Sequence, residues 1–464
     1  EQFDYRAYPK GSWVLHMLRS QLGDDLFRQA VQTYLERNAL SSVATPALQS
    51  TFEEVSGRSF DQFFDQWVYH ARFPDVKITY RWLPEEKLAH LKLEQTHKID
   101  DDVLLYAFAA KFRFDVRGKS VTRTYLADDQ KQEWFVPLDA QPEVVRFDPQ
   151  YSLLARITFD KPQKMLLAQL NDQTDMIGRL RAIEQLKRKK SNDVVAALAS
   201  ALQNDSFYGV RQEAAQALVD VHTPKAFDAL LASTRQNDAR VRLEVIEALG
   251  RFYRPDQVGR FVKMVRDEPN PAIQAAMIKS LGQYHDESVD QLLQEFLDSE
   301  SFRNELLDAA VSAIHARRDP SMAPLLFKTI ETRHDDFTTA GLAAALKALA
   351  RISQSLDDAS ATRSLLLDQL ADRRPPVRQG TLEALGLLGD VEALSVLKTF
   401  AAASEEKKTQ DAAKKAIAAL REKKPPAPRE LSELRKALDE LKKQNERLSD
   451  DLNLLKKKVE AKAK

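Results

Sequence analysis

The chain has 464 residues, with 69 basic and 69 acidic side chains and no cysteine. Balanced charge excludes a global field that would draw the molecule to nucleic acid or an anionic membrane. The missing cysteines exclude disulfides, thiolate catalysis and cysteine-bound zinc together. No apolar run reaches the roughly 18 residues that a membrane-spanning helix needs. The length calls for three or more domains, and 13 glycines with 30% charged residues favour helix. The first residue, Glu1, reads as the start of a fragment or processed chain, with any targeting signal upstream of it.

Residues 1–75 read as helical. Leu15, Leu18 and Leu22 recur at helical spacing, and Leu26, Phe27, Ala30, Val31, Tyr34 and Leu35 form a second apolar stripe beyond Gly23. Thr45-Pro46 reads as a cap with proline at the first helical position. Ser59 reads as the start of a helix that carries Phe60, Phe63, Phe64 and Trp67 on one side, closed by Pro74. His16, on an apolar helix, reads as a packed histidine rather than a ligand.

Over residues 76–160 the apolar period falls from 3.6 to 2. Val76, Ile78, Tyr80 and Trp82 alternate, as do Phe112, Phe114 and Val116, and Arg117-Gly118-Lys119 reads as a hairpin turn. Short alternating strands with turn signals predict a small β-sandwich.

Residues 161–424 are periodic on a longer scale. Helix-terminal apolar positions recur at Leu186, Leu218, Leu249, Leu281, Ile314, Leu349, Leu385 and Leu420, every 31 to 36 residues. Around them Val210-Arg211 leads to Ala217-Leu218, Val241-Arg242 to Ala248-Leu249-Gly250, and Val377-Arg378 to Ala384-Leu385-Gly386. This pattern resembles HEAT repeats. A helical hairpin cannot bury its apolar face alone, so about eight units must stack into an α-solenoid. The basic run Lys187-Arg188-Lys189-Lys190 reads as a solvated turn between repeats.

Residues 425–464 open on Pro425-Pro426-Ala427-Pro428, a stiff linker. Beyond it Leu431, Leu434, Leu438, Leu441, Asn445, Leu448, Leu452, Leu455 and Val459 follow heptad spacing, with Asn445 on an a position when Leu431 is a. A leucine seam containing one buried asparagine predicts a coiled-coil homodimer.

The start of the chain carries a second resemblance. Tyr8-Pro9-Lys10-Gly11, followed by the run from Ser12 to Arg19, resembles the catalytic-tyrosine helix of the aminopeptidase N family of zinc metallopeptidases. Leu22-Gly23-Asp24, Phe63-Phe64-Asp65-Gln66-Trp67 and Phe73-Pro74-Asp75-Val76 extend it. One departure is Arg72-Phe73-Pro74, where the family has Gly-x-Pro. The resemblance implies that residues 1–75 are the C-terminal part of a catalytic helical domain, followed by the β-sandwich, and that Tyr8 stabilises an oxyanion. It also implies that peptide is the substrate and that the intact parent uses zinc to remove N-terminal residues; Tyr5, close to Tyr8 in the chain, is a candidate substrate contact.

The sequence contains no His-Glu-x-x-His and no Gly-x-Met-Glu-Asn. The segment itself is therefore expected to bind no zinc and to be inactive alone. The expected class is mainly α with one β domain: the end of a helical catalytic domain, a β-sandwich, an α-solenoid and a C-terminal coiled coil. The rival function is a non-catalytic HEAT scaffold with a vestigial peptidase segment, docking a protein partner on the solenoid and dimerised by the coiled coil.

Overall fold

The computed structural model describes residues 7–100, 102–404, 406–421, 437–438, 440–445 and 448. Tyr5 and, in the heptad seam, Leu431, Leu434, Leu452, Leu455 and Val459 lie outside the described residues. The chain divides into two compact units, Glu1–Val221 and His222–Lys464.

The first unit begins with α1 (Ala7–Leu22), α2 (Asp24–Arg37), α3 (Thr45–Ser56) and α4 (Asp61–Phe64), the last running into a π-helical turn over Asp65–Tyr69. Gly23 joins α1 to α2 at φ 79, a left-handed conformation that costs glycine little, and Arg19 clasps Asp24 across it at 2.7 Å. Two sequence expectations need correction. Helix α3 already includes Thr45; its N-cap is Ala44, with no side-chain cap, and Pro46 lies just inside. Helix α4 starts at Asp61 rather than Ser59, whose hydroxyl accepts from the Asp61 N–H at 3.3 Å. Phe60, Phe63, Phe64 and Trp67 are all buried, as their spacing predicts.

Two sheets follow. Strands β1 (Asp75–Leu83), β2 (Leu88–Gln95), β3 (Phe108–Val116), β4 (Lys119–Ala127), β5 (Lys131–Pro137), β6 (Val144–Phe147) and β7 (Arg156–Thr158) form sheets of order β5-β2-β1-β7 and β4-β3-β6. Pairing is antiparallel except β1 with β7. The β3–β4 turn has Arg117 at φ 50 and Gly118 at φ 73, the signs a type I′ hairpin requires. Phe112 of one sheet meets Trp134 of the other at 6.0 Å, and Tyr125 stacks on Trp134 at 5.0 Å, so aromatic rings fill the space between the sheets. One continuous core joins α1 to α4 with this sandwich.

The seam between helices and sandwich is hydrogen-bonded as well as apolar. The Tyr106 hydroxyl donates to the Ala71 carbonyl at 3.0 Å, and buried Gln95 both donates to the Tyr106 carbonyl and accepts from its N–H. Arg72, standing where the resembling family has glycine, adopts φ 66. The turn thus keeps a left-handed conformation that costs a non-glycine residue roughly 1–2 kcal/mol.

The unit ends with α5 (Gln163–Leu170), α6 (Met176–Leu186), α7 (Asn192–Asn204) and α8 (Tyr208–Val221), two helical hairpins.

The second unit continues the hairpins: α9 (Pro224–Ala232) with α10 (Ala239–Leu249), α11 (Val258–Asp267) with α12 (Pro271–Leu281), and α13 (Glu287–Leu297) with α14 (Glu305–Arg317). Then come α15 (Ala323–Thr332) with α16 (Thr339–Ser353), α17 (Ser360–Asp368) with α18 (Pro375–Leu388), and α19 (Leu394–Ala403) with α20 (Lys407–Arg421). The second helices of successive hairpins, α10 through α20, pack on one another. All eight periodic positions fall in the second helix of a hairpin, and all are buried; each buried leucine contributes on the order of 1.5–3 kcal/mol.

The Val-Arg pairs have a separate logic. Val210, Val241 and Val377 are fully buried. Arg211, Arg242 and Arg378 reach back to donate to carbonyls of the preceding turn, at 2.8 Å to Asp205, 2.7 Å to Gln236 and 2.9 Å to Asp372.

Glycine after the periodic leucine lets neighbouring helices touch. A Cβ added at Gly282 would lie 2.7 Å from the Ala313 Cα, backbone that cannot yield. Gly282→Val is therefore expected to destabilise the second unit by about 1–3 kcal/mol through overpacking, read as a lower urea midpoint at unchanged slope; an unchanged midpoint would refute the close approach.

Among the described residues no helix is long and apolar enough to cross a membrane. Residues 437–438, 440–445 and 448 are helical.

Candidate active site

The first turn of α1 presents Tyr8, 71% exposed, to solvent. Three features fix the helix that carries it. Val14, Met17, Leu18 and Leu22 bury one face at spacings of three and four residues. Trp13 meets Tyr151 edge-on at 4.8 Å. Half-buried Lys10 donates to the His70 carbonyl at 3.3 Å, linking α1 to the end of the π-helical turn, and burial holds its amine below the ordinary lysine range. The turn beneath is itself held: Trp67 packs on Tyr106 at 4.9 Å, and the Gln66 amide can pair with both backbone groups of Ala107 at 3.2 Å. The result is a phenol on a fixed backbone, a group that both donates and accepts hydrogen bonds.

Among the described residues none gather around it as metal ligands. No group of three or more His, Asp or Glu side chains among the described residues could hold a metal ion, so the described residues do not fit a catalytic zinc. His16, expected from sequence to be packed, is exposed on α1: it lies one residue before the buried Met17–Leu18 pair, which turns it to solvent.

Sequence reasoning missed a cavity of about 290 Å³ in the first unit, lined by Arg146, Tyr151, Phe159, Lys161, Arg181 and Arg188, among others. Arg146 is spent on Asp175 at 2.7 Å. Arg181 donates to the Tyr151 hydroxyl at 2.7 Å. The Lys161 amine donates to Gln169 Oε1 at 2.6 Å, and burial, reinforced by the Arg146 guanidinium, pushes it down to about 7. No local pattern announces this lysine, because its surroundings come from β6, α5 and α6. Arg188, within the run read as a solvated turn, lines this cavity while remaining exposed. Tyr8 does not line it.

Residues 1–67 match the Peptidase family M1 domain, and residues 164–250, 233–314 and 260–347 match HEAT repeats. The start of the chain is thus similar to M1 peptidases and its middle to HEAT repeats. Tyr8 and its anchoring residues all lie within or against the M1 segment. Aminopeptidase M1-A of Oryza sativa subsp. japonica is 27% identical over 149 residues, which is 29% of this chain and 16% of that protein. Aminopeptidase N of Lactococcus lactis subsp. lactis is 33% identical over 70 residues, 15% of this chain and 8% of that protein. The crystal structure of Legionella pneumophila aminopeptidase A in complex with aspartic acid aligns with a TM-score of 0.53 at 14% identity. That alignment covers 90% of this chain and 57% of that one. The chain thus spans a small share of these curated relatives and just over half of that structure, whose likeness is one of fold.

Proposed function

We infer that this chain supplies Tyr8 to the active site of a zinc aminopeptidase that removes N-terminal residues from peptides. The observation that carries the reading is an exposed phenol on an anchored helix inside the M1 segment. When a peptide carbonyl is attacked, its oxygen gains negative charge, and a phenol about 3 Å away donates a hydrogen bond that strengthens as the charge develops. Zinc would activate the attacking water; its ligands, the general base and the groups holding the substrate amine are assigned to sequence outside this chain. Zinc content and turnover of an aminoacyl chromogenic substrate by the intact parent test the reading. Zinc-free, inactive parent protein would sink it. The scaffold alternative lacks a comparable observation in its favour.

The solenoid is assigned to covering the site or docking a protein partner, as stacked helical repeats offer an extended surface for binding. The seam from Leu431 to Val459 is assigned to homodimerisation. Light scattering is expected to give a dimer mass for the chain and a monomer mass once residues 425–464 are deleted; equal assembly states for the two would remove the assignment.

A further inference from the structure

The C-terminal helical residues carry two different faces. With Leu431 at heptad position a, Leu438, Leu441 and Leu448 fall on the a/d seam, whereas Lys442 falls on e, at the flank of that seam, and Lys443 on f, opposite it. The structure separates these faces in space. Leu438, Leu441 and Leu448 are 49%, 62% and 63% exposed. Lys443 instead places its Nζ 3.7 Å from Asp286 Oδ2 at the start of α13, and Lys442 sets its ammonium 4.6 Å from the centre of the Tyr253 ring.

The surface receiving these lysines is built for cations. Tyr253 is stacked on Tyr284, 5.2 Å between centres, offering an aromatic face to a positive charge. Beside it lies a cavity of about 210 Å³ lined by Asp286, Asp290, Arg317, Asp319, Glu440 and Lys443, together with His285 and Glu287. Its walls from α13 and the turn after α14 are mostly acidic, and buried Arg317 is already engaged by Asp290 and by the Tyr284 carbonyl.

We propose that Tyr253, Asp286 and the neighbouring carboxylates form a docking ledge for a basic helix face, and that its occupant is the Lys442–Lys443 face of this chain's own C-terminal segment, bound in cis. Lys443 lies opposite the leucine seam and Lys442 only at its flank, so a second copy can pair with the seam while each segment stays on its own solenoid. This inference is independent of the peptidase reading and survives its failure.

Two variants of the full chain test it. Asp286→Asn removes the charge but keeps the cap of α13, where the side chain accepts from the Ser288 N–H, because asparagine caps as well as aspartate. Lys443→Gln removes the charge from the other side without touching the solenoid. In each, amide hydrogen exchange of residues 440–445 is expected to quicken about two- to fivefold, the range for an exposed ion pair, and 0.5 M NaCl should produce the same change in the unaltered chain.

Carbodiimide coupling at low salt is expected to join Lys443 to Asp286, and in mixtures of light and heavy chains only same-isotope pairs should be linked. Unchanged exchange in both variants, or unlike-isotope links approaching the half expected when chains pair at random, would overturn cis docking.

Discussion

Replacing Tyr8 by phenylalanine in the intact parent is expected to lower kcat by two to three orders of magnitude, with KM and zinc content nearly unchanged. The substitution deletes one oxygen and leaves the ring, so α1 keeps its buried face of Val14, Met17, Leu18 and Leu22. It also leaves the Trp13–Tyr151 and Lys10–His70 contacts, neither of which uses the Tyr8 hydroxyl. An exposed hydroxyl contributes little to folding, so a loss of stability cannot mimic the result. The kinetic split is the diagnostic. A hydrogen bond made only to the transition state moves kcat and kcat/KM together, whereas one made equally to bound substrate moves KM alone. Full activity in the phenylalanine variant would remove Tyr8 from the chemistry and leave it as a surface residue on a packed helix.

The large-scale order of this chain was legible because it rests on repeated apolar burial. The switch from a 3.6 to a 2 period near Val76 coincides with β1, and Arg117-Gly118 forms the predicted hairpin turn. Leu186 through Leu420 mark the second helix of all eight hairpins because each repeat must hide the same stripe against its neighbours. Polar placement was less legible. Lys10 finds the His70 carbonyl sixty residues away, and Lys161 owes its altered amine to groups on three other elements; neither leaves a local signature.

His16 failed for a related reason: one residue's rotation on a helix decides between core and solvent, and an apolar neighbourhood does not fix it. Arg72 shows the converse, a left-handed turn maintained although the residue type that favours it is missing. The heptad spacing marks a leucine seam and gives Lys442 and Lys443 no partner. The contacts of Lys442 and Lys443 with Tyr253 and Asp286 depend on a surface contributed by residues far away in sequence.

Arg179→Met is expected to cost the first unit about 3–5 kcal/mol. The guanidinium and the Asp205 carboxylate are each only 2% exposed, with Nε 2.7 Å from Oδ2. Nη2 donates to Oδ1 at 3.1 Å, and Nη1 donates to the Asp172 carbonyl at 2.8 Å. Arg179 thereby binds the turn within the first hairpin to the turn within the second, since Asp172 lies between α5 and α6 and Asp205 between α7 and α8.

Methionine fills similar volume but leaves a buried carboxylate whose remaining support includes the Phe207 N–H at 2.9 Å. That uncompensated charge, rather than the lost pairing energy, sets the size of the effect. Adding Asp205→Asn should therefore recover most of the loss, because the amide oxygen still accepts from Phe207 while the charge is gone. Urea unfolding of the single and double variants closes the cycle. Additive losses in the double variant would show that the two side chains act separately, and that the ion pair does not couple the first two repeats.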